Sequence, residues 1–181
     1  MCSSDLTCTS QRRCALDGHG PVSVPAGHPV HTLLQDNLEI RRIATELKRL
    51  AELLGAGDES ARPLLAGWLG PLGSLDNHYV RKENQLFPVL EQKGIDGPTK
   101  VMWGVHDEIR AALKAATAAA ASAPATEVAA VTSKLADAVL DMIYKEEKIL
   151  FPMALAHIDD AEWRRIRAGE DALGYALAKP G

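Results

Sequence analysis

Apolar residues recur at helical spacing along most of the chain. Leu33, Leu34, Ile40, Ile43, Leu47, Leu50 and Leu54 trace one stripe of a first helix, A. It starts near His28-Pro29, because proline suits a first helical turn, and Gly55-Ala56-Gly57 stops it. Helix B is predicted over residues 59–92, with Gly67, Gly70, Pro71 and Gly73 bending or interrupting its first half. Gly94-Ile95-Asp96-Gly97-Pro98 is a turn, helix C covers 99–121, Ser122-Ala123-Pro124-Ala125 is the next turn, and helix D covers 126–156. A shorter helix over 160–168 is capped by Asp159 or Asp160. Residues 170–181 read as a linker or a cut end. Four long helices with short connections predict an all-α fold, an antiparallel four-helix bundle with a short C-terminal helix.

The polar positions repeat as well. Lys82-Glu83-Asn84-Gln85-Leu86-Phe87-Pro88 returns as Glu146-Glu147-Lys148-Ile149-Leu150-Phe151-Pro152. Asn37-Leu38-Glu39-Ile40-Arg41 resembles His106-Asp107-Glu108-Ile109-Arg110. The chain is therefore two helix pairs, A/B and C/D, related by a pseudo-twofold. The repeat lays Asn37 on His106, His78 on Met142 and Glu83 on Glu147.

The duplicated acid points to chemistry. At helical spacing Glu83 shares a face with Leu86 and Phe87, and Glu147 with Leu150 and Phe151. An acid on a core-facing stripe is costly to bury unless it is paired or bound to metal. We read the two as ligands of a shared internal metal site. Glu146 competes with Glu147 for the inward position. His106 lies on an apolar stripe with Met102, Trp103, Ile109 and Leu113, and imidazole with carboxylate suits iron, manganese or zinc. His78 lies five residues before Glu83, so the pair converges only on a site between their two directions. Lys82 holds the better-aligned position but cannot be a ligand while protonated. His28 and His31, three residues apart at the start of helix A, are further candidates.

Composition narrows the class. The chain has 181 residues, 24% charged, with a net charge of -4, which suits one domain with a sizeable core. No basic run points to nucleic acid, and no apolar run is long enough for a membrane span. Cys2, Cys8 and Cys14 all fall at the start, so a disulfide framework is not expected and a cytoplasmic location is the default. Met1-Cys2-Ser3-Ser4-Asp5-Leu6 reads as a translated sequencing adapter. Residues 1–24 are set aside as disordered or artefactual, 25–177 as the bundle and 178–181 as a tail.

Taken together, His78-Tyr79-x-Arg81-Lys82-Glu83-x-x-Leu86-Phe87-Pro88, Trp103-Gly104-Val105-His106-Asp107-Glu108 and Glu146-Glu147-x-x-Leu150-Phe151-Pro152 resemble the hemerythrin-like, HHE cation-binding family. Gly27-His28-Pro29-Val30-His31-Thr32 is similar to its subgroup known as domain of unknown function 438. The resemblance implies a bundle holding a dinuclear non-haem iron centre, with manganese or zinc as substitutes. It also implies binding or sensing of dioxygen, nitric oxide or iron. His78, Glu83, His106 and Glu147 match family ligand positions, with Glu146 beside them. Asn37 and Met142 stand where histidines are expected, so His28 and His31 are the candidates to make up the number. A carboxylate-rich site argues against reversible oxygen carriage. In this subgroup a PAS sensory module often follows, and the segment from Ile166 to Tyr175 resembles its lead-in. The expectation is a cytoplasmic sensor module. The alternative is a di-iron enzyme in peroxide or nitric oxide detoxification or in iron–sulfur cluster repair.

Overall fold

The structure is a computed structural model that describes residues 22–178. The expectations for residues 1–21 and 179–181 lie outside the described residues. Helix α1 (Pro29–Gly55) is helix A. His28 caps it through its ring, whose Nδ1 accepts from the Val30 amide at 3.1 Å. Predicted helix B is three α-segments, α2 (Ala61–Leu72), α3 (Leu75–Arg81) and α4 (Phe87–Gln92), with a π-turn (Lys82–Leu86) between the last two. Helix α5 (Gly97–Ser122) is helix C. Helix D is α6 (Ala125–Lys145), a second π-turn (Glu146–Leu150) and α7 (Phe151–His157). Helix α8 (Asp160–Leu173) starts on a capping box between Asp159 and Glu162.

Helix B is interrupted at Gly73-Ser74, as its glycines and proline allow, and one feature was not predicted. The two π-turns each sit directly before a Phe-Pro. Proline has no N–H to give and its ring crowds the carbonyl four residues back. The chain widens there by one residue, and the Phe87 and Phe151 amides bond five residues back, to the Lys82 and Glu146 carbonyls. The repeated phrase thus encodes a repeated π-turn, a device common at functional sites.

Long-range pairs fix the packing direction. Arg41 meets Glu147 and Lys48 meets Asp137, so α1 and α6 run antiparallel. Arg110 meets Glu83 while Thr99 meets Glu91, so the B and C helices do the same. Leu47, Leu50, Leu65, Phe87, Leu135 and Phe151 are fully buried between the four. Val22 and Val24 pack against this core, so the packed region reaches further back than residue 25. Helix α8 runs on to Leu173 instead of ending near 168, and it lies against α1 and α3. Gly169 faces the first π-turn, where an added Cβ would stand 2.5 Å from Gln85 Nε2 and push that side-chain end aside. Glu170, expected in a linker, is buried. No helix among the described residues is long and apolar enough to cross a membrane.

Candidate functional site

Charged groups meet inside the bundle at the level of the two π-turns. His78, Lys82, His106 and Glu146 are all essentially inaccessible to solvent, as is Asp36 from α1. The Lys82 ammonium forms an ion pair with Glu146 Oε1 and donates to His106 Nε2 at 3.1 Å. His78 Nε2 lies 3.1 Å from the other Glu146 oxygen. The lysine and the glutamate occupy equivalent places in the repeat, each the first residue of its π-turn. Where the pseudo-twofold would juxtapose two like residues, the sequence has put opposite charges.

Each histidine is held from behind by a carboxylate. His78 Nδ1 lies 3.2 Å from Asp36 Oδ2, and His106 Nδ1 lies 2.7 Å from Glu83 Oε1. A lysine only donates and a carboxylate only accepts. His106 therefore carries its proton on Nδ1 and turns the Nε2 lone pair toward the centre. Tyr79 stacks on this ring at 3.9 Å, and Phe87 lies parallel to it at 5.8 Å. Burial, reinforced by the charge of Lys82, holds His106 down at about 3, so it is neutral at ordinary pH. Burial also pulls the Lys82 amine down, and the Glu146 carboxylate opposes that. Burial would push Glu146 up, but Lys82 and His78 outweigh it and keep the carboxyl well below its usual range.

The duplicated acids of the sequence have another partner. Both Glu83 oxygens accept from Arg110, at 2.9 Å each, and both Glu147 oxygens accept from Arg41, at 2.9 and 3.0 Å. Arg41 and Arg110 are themselves repeat mates, but Arg110 gives each oxygen its own Nη while Arg41 reaches both through Nη2 alone. Against the burial that would raise it, the bonds from His106 and Arg110 hold Glu83 at about 2. Glu147 is more open and the Arg41 side chain is 43% exposed. Solvent screening makes such a pair worth little, so Glu147→Gln is expected to cost under about 1 kcal/mol in a urea melt.

The candidates therefore divide. His78, Glu83, His106 and Glu146 come together. Glu147 does not turn inward; the π-turn points its predecessor at the centre instead. His28 is a helix cap whose ring lies 4.5 Å from Trp163, and burial lowers it to about 4. Among the described residues, the contacts of the centre include neither His28 nor His31. Met142 is fully buried, and Asn37 is fully buried with neither amide atom hydrogen-bonded.

Sequence reasoning missed Asp36, Arg81, Arg110 and Glu170. Arg81 is buried between Asp36, at 3.4 Å, and Glu170, and its guanidinium lies 5.0 Å from the Tyr175 ring. Asp36 Oδ1 accepts from the Leu177 and Ala178 amides at 3.0 and 2.7 Å, so the segment after α8 is strapped to the carboxylate behind His78. The repeat of Arg41 and Arg110 was a usable signal. Nothing local to the sequence marks Asp36 or Glu170.

No curated protein matches the chain. The model of the hemerythrin HHE cation binding domain matches residues 28–154, well over half of it. That span runs from the cap of α1 into α7 and contains both π-turns, both histidines and Glu146 at the centre. With an all-helical bundle, a buried pair of carboxylate-backed imidazoles and this match in agreement, the chain belongs to the hemerythrin HHE cation-binding domain family.

Proposed function

We propose that this domain holds one metal ion, non-haem iron by donor type, between His78, His106 and Glu146. Its occupancy would serve as a signal of iron, dioxygen or nitric oxide in a sensory protein. The observation that supports this is the orientation of the two imidazoles. Metal-binding histidines almost always have the other ring nitrogen held by a carboxylate or carbonyl, and here Asp36 and Glu83 do that. Two imidazoles and one carboxylate form the donor set typical of non-haem iron(II) with open positions. Bound there, iron would supply an open position for a small ligand.

The donors that meet at the centre support a reading with one ion rather than two. The repeat mates of His78 and His106 are Met142 and Asn37, and both oxygens of Glu83 and of Glu147 are spent on arginines. As the side chains stand, no three His, Cys, Asp or Glu among the described residues form a metal cluster. The Lys82 ammonium lies between the donors. The donor chemistry fits a cation, and the cation in that place is the lysine's.

A sensor needs its site coupled to something that can move. The strap from Asp36 to Leu177 and Ala178 supplies such a connection, because the same carboxylate touches His78. Anaerobic reconstitution with iron(II), followed by metal analysis and an optical spectrum, tests the reading. The expected result is about one iron per chain, lost in His78→Gln/His106→Gln while helical circular dichroism is kept. Two irons per chain, none, or iron retained in the double variant would each refute it.

A further inference from the structure

We propose that Lys82 is a built-in competitor for the metal: its ammonium fills the centre, and a metal ion enters only in exchange for it. This rests on the single-metal reading above. Three contacts define the ammonium's place. It pairs with Glu146 Oε1, donates to His106 Nε2 at 3.1 Å, and lies 4.4 Å from the centroid of the Tyr79 ring. The first two atoms are those a metal would use. An ion held by that imidazole nitrogen and that carboxylate oxygen would need the space the ammonium fills. Lys82 is 0% exposed, so bulk solvent does not screen one cation from the other. The two cannot share the site.

The charges at the centre permit the exchange. Glu146, Asp36 and Glu83 already have cationic partners on the chain, in Lys82, Arg81 and Arg110. The metal-free interior is therefore compensated. Metal then finds no row of bare carboxylates, as an empty ligand cage would offer. It finds one carboxylate whose counter-ion is tethered. Lysine suits that part because its charge is carried on a flexible four-carbon stem and can withdraw. The same residue sits where its repeat mate is Glu146, so Lys82→Glu would place a second glutamate at the centre.

Two consequences separate this role from plain packing. Metal affinity is reduced by the fraction of molecules in which the ammonium has withdrawn, so removing the charge should raise affinity. At one metal concentration, chelation should lower the melting temperature of the wild-type chain less than that of the Lys82 variants, since stabilisation by a bound ion follows its affinity.

Cobalt(II) titration, followed by its visible absorption, tests this on the whole chain. Lys82→Gln keeps a donor for Glu146 without the charge, and Lys82→Met keeps the stem alone. At least one of the two, shown helical by circular dichroism, should bind cobalt(II) about tenfold more tightly than wild type or better. His106→Gln in the same background should abolish the gain. Equal affinity in wild type and both variants, with binding still dependent on His106, would overturn the competitor role and leave the metal reading intact. No binding in wild type or in any Lys82 variant would overturn both.

Discussion

Glu146→Ala is expected to lower the free energy of unfolding by about 3–5 kcal/mol, the largest single-residue effect predicted for this chain. The loss does not come from a vanished attraction alone. Lys82 would be left with its charge in a dry interior, facing a neutral His106 that accepts one hydrogen bond. His78 would lose the oxygen 3.1 Å from its Nε2. Desolvating a charge without its partner costs more than the pair returns when intact. The double variant Glu146→Met/Lys82→Met removes both charges in side chains of similar length. It should regain most of the stability lost in Glu146→Ala. Urea unfolding of the two proteins at neutral pH checks the pattern. A double variant no more stable than Glu146→Ala would mean that the ion pair is not the source of the loss.

Acid should destabilise the bundle over a definable range. Glu83 has an ordinary carboxyl value of 4.5 when free and is held at about 2 in the fold. A lowered folded-state value means the unfolded chain takes up the proton first. The stabilisation is therefore complete above about pH 4.5 and is lost as pH falls toward 2. That shift corresponds to about 3 kcal/mol from this group. Glu146 is lowered as well, in the same direction. Unfolding midpoints in urea at pH 7, 4 and 3 should fall steeply for the wild-type chain. Glu83→Gln should start lower at pH 7 and fall less between pH 4 and 3, since it has no proton to take up. Parallel curves for the two proteins would remove Glu83 from the explanation.

The two predictions concern neighbouring acids with different partners, and the sequence treated them differently from the structure. The duplicated acid was visible as Glu83 and Glu147, and its burial demanded a partner. Paired or metal-bound were the two solutions. For Glu83 and Glu147 the structure gives the first, through Arg110 and Arg41. Those arginines lie in the second repeated phrase, four residues beyond His106 and Asn37, so their equivalence was readable. Their contacts were not, because an arginine on a helix surface is ordinarily solvated. Lys82 was set aside as a protonated residue that cannot bind metal. That chemistry is correct, and the consequence is larger than exclusion: the residue stands at the centre as a cation.

The π-turns explain why Glu146 rather than Glu147 faces inward. An ideal helix rotates about 100° per residue, and face assignments inherit that step. One widened turn shifts the register by a residue, and it occurs just where the repeated phrase lies. The cause, a proline at the second position of the following helix, is written in the phrase. Its effect on facing depends on how the chain relieves the proline's missing N–H. A kink, a break or a widening would each do so. Pro71 shows another outcome in the same polypeptide, for it lies inside α2 and the helix continues past it to Leu72.

Local periodicity determined a great deal by itself. Helix positions, caps, the bundle class, the internal repeat and the candidacy of His78, Glu83 and His106 follow from spacings of a few residues. These are properties of a helix and its immediate neighbours, so one sequence suffices to read them. Which charges meet was decided only when the helices packed. Lys82 and Glu146 are 64 residues apart, and Asp36 and Ala178 are 142 apart. No periodicity links such positions. Their pairing is selected because a buried charge is expensive alone and tolerable with its opposite. That selection acts on apposed faces in three dimensions, which is why a centre first legible as acids and histidines proved to have a lysine in its middle.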